Sequence, residues 1–118
     1  MSKMSDATSI PKEVMHKVFI RDDHRCIVCG RFIRYDEETD TYYGGGPFAH
    51  YIRRSQGGLG IEENIVTLCN ECHHDFDNGF KREEIGAWVR EYLDKWYPDF
   101  KDEDRVYSKY KWLYKWED

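Results

Sequence analysis

Apolar residues recur at helical spacing over one long stretch of the chain. Ile85, Trp88, Val89, Tyr92, Leu93 and Trp96 fall at i, i+3, i+4, i+7, i+8 and i+11. This stripe predicts a helix over Lys81–Trp96 whose striped face packs into the core, with Pro98 marking its end. Pro11 suits a first helical position. Val14, Met15, Val18 and Phe19 give that helix an apolar face up to Asp22–His24. Residues 31–43 place strand-forming residues on both sides of the acidic turn Asp36–Asp40, which predicts a hairpin. Gly44-Gly45-Gly46-Pro47 should break it. Phe48–Ile52 reads as a strand and Ile65–Leu68 as its partner, joined by a long loop, Arg53–Gly60, of the length that often carries function. Asn70–Asn78 reads as a short helix ended by Gly79. From Asp104 onward, Val106, Tyr107, Tyr110, Leu113 and Tyr114 again stand near helical spacing, and residues 1–10 read as a flexible tail. The sum is an α+β chain with a single small domain at 11–118, flanked by N- and C-terminal helices.

Composition narrows this further. The 118 residues suit one domain with a modest core, of a size that often adds a staple. No apolar run is long enough to span a bilayer. The opening MSKMSDATSIPKE lacks the apolar centre of a secretory signal. The expectation is a cytoplasmic protein with no membrane partner, in which cysteines serve as metal ligands rather than disulfides. A net charge of −5 argues against coating DNA by bulk attraction. Charge is uneven, however. Phe48–Ile61 holds Arg53 and Arg54 and no acid, so a local basic face is compatible with the acidic whole.

All the cysteines lie in two C-x2-C pairs, Cys26/Cys29 and Cys69/Cys72. Each pair offers two thiolates from one turn, the pattern of a tetrahedral structural zinc site with no open position. Gly30 suits the tight turn under the metal. The pairs are too far apart for a simple ribbon and must enclose a folded insert. Just beyond the second pair, His73 and Asp77 are spaced i, i+4, so both face one side of the short helix and are candidate ligands of a second divalent metal. Arg53 and Arg54 carry planar forks suited to phosphate oxygens, and Gly57 and Gly58 permit a close backbone approach. The C-terminal set Tyr107, Tyr110, Trp112, Tyr114 and Trp116, interleaved with lysines, reads first as packing and second as a partner-binding surface.

Taken in order, the knuckle Cys26–Gly30, Ala49-His50-Tyr51-Ile52-Arg53-Arg54-Ser55-Gln56-Gly57-Gly58, Asn64 and Leu68-Cys69-Asn70-Glu71-Cys72-His73 resemble the HNH endonuclease family, in the form found in phages and prophages. The resemblance covers roughly Cys26 to Asp77. It implies a ββα-metal core over 26–78 stapled by a zinc on four cysteines and metal-dependent hydrolysis of DNA phosphodiester bonds; the helical extension over 81–118, read from its periodicity, lies outside it. It implies His50 as general base, Asn64 as the residue that orients the loop and the base, and His73 with Asp77 as ligands of a catalytic Mg2+, Mn2+, Ni2+ or Zn2+. It also raises the packaging terminase as a partner. The position before the base, most often Asp, Glu or His in the family and a metal ligand there, is Ala49 here. The alternative is therefore an inactive zinc-stabilised module on the same scaffold that binds nucleic acid or protein.

Overall fold

A computed structural model of the chain describes residues 3–79 and 81–108. The elements in order are α1 (Lys3–Thr8), α2 (Lys12–Arg21), β1 (Arg34–Asp36), β2 (Thr41–Tyr43), β3 (Gly45–His50), β4 (Ile65–Cys69), α3 (Asn70–Asp77) and α4 (Arg82–Trp96). Strands β1 and β2 form the expected hairpin, and β3 and β4 form a second antiparallel pair. The architecture is α+β, with two small sheets and helices around them.

The β3–β4 pair is the centre of the molecule. Every residue of β4 is buried. Val66 and Leu68 join Phe76 of α3 and Ile85, Val89 and Leu93 of α4 in one apolar cluster. Alternation along the strand turns Ile65 and Thr67 toward the other face. There α2 packs against both strands, with its Val18 fully buried.

Among the described residues, no third strand pairs with the outer edge of β4. Side chains and a turn take its place. The Thr67 amide donates to Asp22 Oδ2 at 2.8 Å. The Ile27 amide donates to the Thr67 carbonyl at 3.0 Å. Arg21 donates to the Ile65 carbonyl through Nη2 and to the Glu62 carbonyl through Nη1, both at 2.7 Å. Arg21 and Asp22 also pair with each other at 2.8 and 3.1 Å, and Asp22 accepts from the Tyr92 hydroxyl of α4 at 2.7 Å. Their side chains are 6% and 0% exposed. Burial works against the charge on Arg21, but the Asp22 carboxylate outweighs it and raises the guanidinium pKa.

Four expectations change. The segment read as a loose tail holds α1. Six residues are too few for a free-standing helix, so docking supplies its stability. Thr8 is buried, and the Gly60 amide donates to the Ala7 carbonyl at 3.0 Å. The glycine run does not break the sheet. Gly45 and Gly46 pair with Cys69 and Leu68, and the irregular register before Ala49 absorbs Pro47, which has no N–H to give. At Gly45, φ is 143° and a Cβ would strike the Leu68 carbonyl, so glycine is what lets the strands meet there.

The α4 stripe is narrower than its sequence pattern. Ile85, Val89 and Leu93 are buried, whereas Trp88 and Trp96 remain 53% and 51% exposed. A two-stranded sheet covers only part of a helix face, and the Trp88 indole instead donates to the Ile27 carbonyl of the first knuckle at 2.6 Å. The stretch from Asp104 does not start a helix. A single 3-10 turn, Asp102–Arg105, leads into Val106, which bridges to Gly58. Tyr110 and the aromatic residues after it lie outside the described residues. Among the described residues, no helix is long and apolar enough to cross a membrane.

Removing Asp22 would strand a buried guanidinium and free the edge of β4. Asp22→Ala should lower stability by about 3–5 kcal/mol, measured by urea denaturation of the metal-loaded protein. A change below about 1 kcal/mol would mean that water, not Asp22, solvates Arg21.

Candidate metal centre and adjoining cleft

The first knuckle is built by its own backbone. The Gly30 amide donates to the Cys26 carbonyl and the Cys26 amide to the Arg31 carbonyl, both at 2.9 Å. Gly30 sits at φ 78°, where a Cβ is disfavoured. The second knuckle is the junction of β4 and α3. Cys69 is the N-cap of α3, and its sulfur accepts from the Cys72 amide at 3.4 Å. The Ile27–Thr67 bond and the Trp88 indole tie the first knuckle to β4 and α4.

The four sulfurs lie within 4.8 Å of one another, and Cys29 Sγ and Cys69 Sγ are 3.7 Å apart. Sulfurs on a tetrahedron around zinc, with bonds of about 2.3 Å, stand about 3.8 Å apart. A disulfide needs about 2.05 Å, and all four thiols are free. The cluster could hold one metal ion and is compatible with zinc. Burial first, then the neighbouring sulfurs, pushes the Cys72 thiol above its usual range, and burial does the same to Cys69. A bound dication reverses that preference and makes thiolates.

Beyond the cluster, α3 runs away from the knuckle and carries His73 and Asp77 on one face. His73 Nε2 and Asp77 Oδ2 are 3.1 Å apart. Two donor atoms bound to one ion at about 2.0–2.2 Å stand roughly 3 Å apart, so the pair is spaced as neighbouring ligands. Among the described residues, the four cysteines are the only group of three or more such side chains. No third such side chain joins His73 and Asp77 within that set.

His50 ends β3 opposite Ile65. It lines a cleft of about 590 Å³ shared with His73, Asp77, Arg53, Arg54 and Phe48. Its Nε2 lies 2.8 Å from the Thr8 carbonyl. A carbonyl only accepts, so Nε2 carries the proton and the neutral ring keeps its lone pair on Nδ1. Burial first, then the charges of Arg54 and His73, lowers the His50 pKa below 6.5, against the opposing pull of the Thr8 and Phe48 carbonyls. The shift favours the neutral ring. Ala49 points away from the cleft into the apolar cluster and is fully buried.

Asn64 does not line the cleft. It is fully buried. Its Oδ1 accepts from the Ile52 amide at 2.9 Å, and its Nδ2 donates to the Ile52 and Leu59 carbonyls at 3.2 and 2.9 Å. It closes both ends of the loop after His50, while the Tyr51 amide donates to the Asn64 carbonyl at 2.8 Å. Its role is to position. Inside that loop, a Cβ on Gly58 would strike the Ile52 carbonyl, so this glycine serves the turn itself and not a ligand.

The two arginines diverge. Arg53 donates a 3.3 Å contact to the Asp77 carbonyl at the rim. Arg54 turns to the N-terminal segment and bonds Thr8, Ser9 and Ser5. Sequence reasoning missed Arg82. It stacks on Phe76 at 4.0 Å and donates to the Tyr51 and Phe76 carbonyls. Burial first, then the nearby charge of Arg53, lowers its pKa. One signal was present: a cation in the first turn of a helix opposes the dipole and needs another reason to be there. Thr8 was also missed, because its segment carries no pattern of its own.

The metal-loaded protein should contain one equivalent of tightly held dication per chain by elemental analysis. Cys72→Ser should lose it, with a fall in thermal stability. Full retention of metal and stability in Cys72→Ser would exclude a four-thiolate site.

Compared with known proteins, the chain matches no family model, no curated protein and no solved structure.

Proposed function

We propose that the protein is a metal-dependent endonuclease of the HNH type, with a structural zinc on Cys26, Cys29, Cys69 and Cys72, that hydrolyses DNA phosphodiester bonds. The observation that carries this reading is the meeting of a histidine with a lowered pKa, a His–Asp pair at ligand spacing and a rim arginine in one cleft beside the cysteine cluster. Phosphodiester hydrolysis asks for these parts: a proton acceptor for water, a seat for a cation and a phosphate contact.

His50 acts through Nδ1. As the water oxygen forms its bond to phosphorus, the water proton passes to Nδ1, and the bond from phosphorus to the leaving sugar oxygen breaks. Nε2 stays bonded to Thr8 throughout, so the ring accepts the proton without turning. A divalent ion held by His73 and Asp77 would stabilise the charge on the phosphate and the leaving oxygen. Held by only two side chains, such an ion would bind weakly in the free protein and more tightly with a phosphate present. Asn64 holds the loop so that His50 and Arg53 face the same cleft. Arg53 and Arg82, close enough to feel each other's charge, flank the Asp77 side and fit a phosphate backbone.

A binding module on the same scaffold is the second reading. It is favoured by the absence, among the described residues, of a third side chain beside His73 and Asp77. Dependence on a partner such as a terminase would suit the same feature.

Supercoiled plasmid should be nicked in the presence of Mg2+, Mn2+, Ni2+ or Zn2+, and His50→Ala should slow nicking by about 10²–10⁴-fold. No nicking with any metal by folded, zinc-loaded protein would favour the binding module. Nicking equal in both proteins would remove His50 as the base. Separately, Arg53→Ala and Arg82→Ala should each weaken DNA binding and lower the salt slope by about one. Unchanged affinity and slope would place the DNA elsewhere.

A further inference from the structure

We infer that the N-terminal helix is a working part of the cleft: the Thr8 carbonyl, held in place by Arg54, positions His50 and fixes its tautomer. This rests on the reading of His50 as the base. Thr8 lies 42 residues before His50, and nothing in its own sequence marks it for the site.

Thr8 and Arg54 make the hydrogen bonds here, and the Phe48 carbonyl is a further neighbour of the ring. His50 Nε2 meets the Thr8 carbonyl at 2.8 Å. Arg54 Nε donates to Thr8 Oγ1 at 3.0 Å. Arg54 Nη2 donates to Ser9 Oγ at 2.8 Å and to the Ser5 carbonyl at 3.3 Å. Thr8 Oγ1 in turn donates to the Ser5 carbonyl at 3.2 Å. One guanidinium therefore grips both ends of the last turn of α1 and the residue after it. The Gly60 amide holds Ala7, and Gly60 has no Cβ because the Ser9 carbonyl occupies that space. Loop 53–60 carries both Arg54 and Gly60, and Asn64 pins it from behind. The base, its carbonyl partner and the clamp thus share one support.

The chemical consequence concerns the proton. An imidazole in water exchanges between two neutral tautomers. A carbonyl at Nε2 selects the form with its lone pair on Nδ1, and it stabilises the imidazolium once Nδ1 has taken a proton. Arg54 is then a positioning residue and not a phosphate contact. Its loss acts on the rate of the chemical step and not on DNA affinity.

The test uses the full chain with its cysteine-bound metal, in wild type, Thr8→Val, Thr8→Ser and Arg54→Ala. Ring 15N shifts report the His50 tautomer, saturating plasmid nicking reports the rate, and DNA affinity is measured without cleavage. Thermal melting checks the fold of each variant. Wild type should show the Nε2–H tautomer. Thr8→Val, which keeps the shape and loses the Arg54 acceptor, should show mixed tautomers and nick about tenfold more slowly, with affinity within about twofold. Arg54→Ala should do the same, and Thr8→Ser should restore both readouts. Unchanged tautomer and rate in Thr8→Val and Arg54→Ala would overturn the inference. A faster Arg54→Ala would overturn it in favour of an inhibitory strap. Lost affinity at an unchanged rate would make Arg54 a phosphate contact. If the wild type nicks no DNA, the nuclease reading fails, and the tautomer readout still decides whether Thr8 sets the ring.

Discussion

The buried pairing of Arg21 with Asp22 holds the centre of this structure in place. A two-stranded sheet has two open edges and cannot stand alone in water. Here the outer edge of β4 is taken by one carboxylate, one guanidinium and one turn instead of a third strand. These partners come from separate parts of the chain: Arg21 and Asp22 close α2, Ile27 lies in the first knuckle, and Tyr92 on α4 bonds Asp22. The position of β4 then dictates the others. His50 is placed by pairing with Ile65, Asn64 sits just before the strand, and the end of the strand delivers Cys69 to the cysteine cluster. A buried ion pair is rarely a large net source of stability, but breaking one is costly. That asymmetry suits a pair whose work is to specify one arrangement.

The cysteine cluster does the complementary work at the other end of β4. It fixes where α3 begins, and through α3 it sets His73 and Asp77 at the cleft. The cleft is therefore framed by the cysteine cluster at one end and α1 at the other, with loop 53–60 between them. Asn64 is the common support, bonded to the backbone at both ends of that loop. This explains how a chain of 118 residues can hold a polar cleft of defined shape.

Much of this was legible in the sequence because local rules govern it. The C-x2-C spacing sets knuckle geometry within a single turn of chain. The i, i+4 relation places His73 and Asp77 on one helix face whatever that helix packs against. Turn residues flanked by strand formers give the β1–β2 hairpin. Where the sequence misled, the cause lay across the fold. The glycine run looked like a breaker because the Leu68 carbonyl that demands glycine at position 45 is far away in the chain. The α4 stripe looked wholly internal because periodicity counts apolar residues without knowing how much sheet is available to cover them.

Local chemistry alone was enough for the order of most elements, the grouping of cysteines into two knuckles and the identity of the polar groups available to a site. Each of these depends on neighbours within one or two turns. How those groups divide their labour was settled by packing across the fold. Arg53 faces the cleft while Arg54, one residue on, grips the N-terminal helix. Asn64 sits in the scaffold behind the cleft, where it holds the loop, and the Thr8 carbonyl meets His50 from a segment with no motif. A donor or a carbonyl acquires its role from the partner it meets. Apart from Leu59, five residues from Asn64, those partners lie 12 to 46 residues away along the chain, at separations that no local pattern encodes.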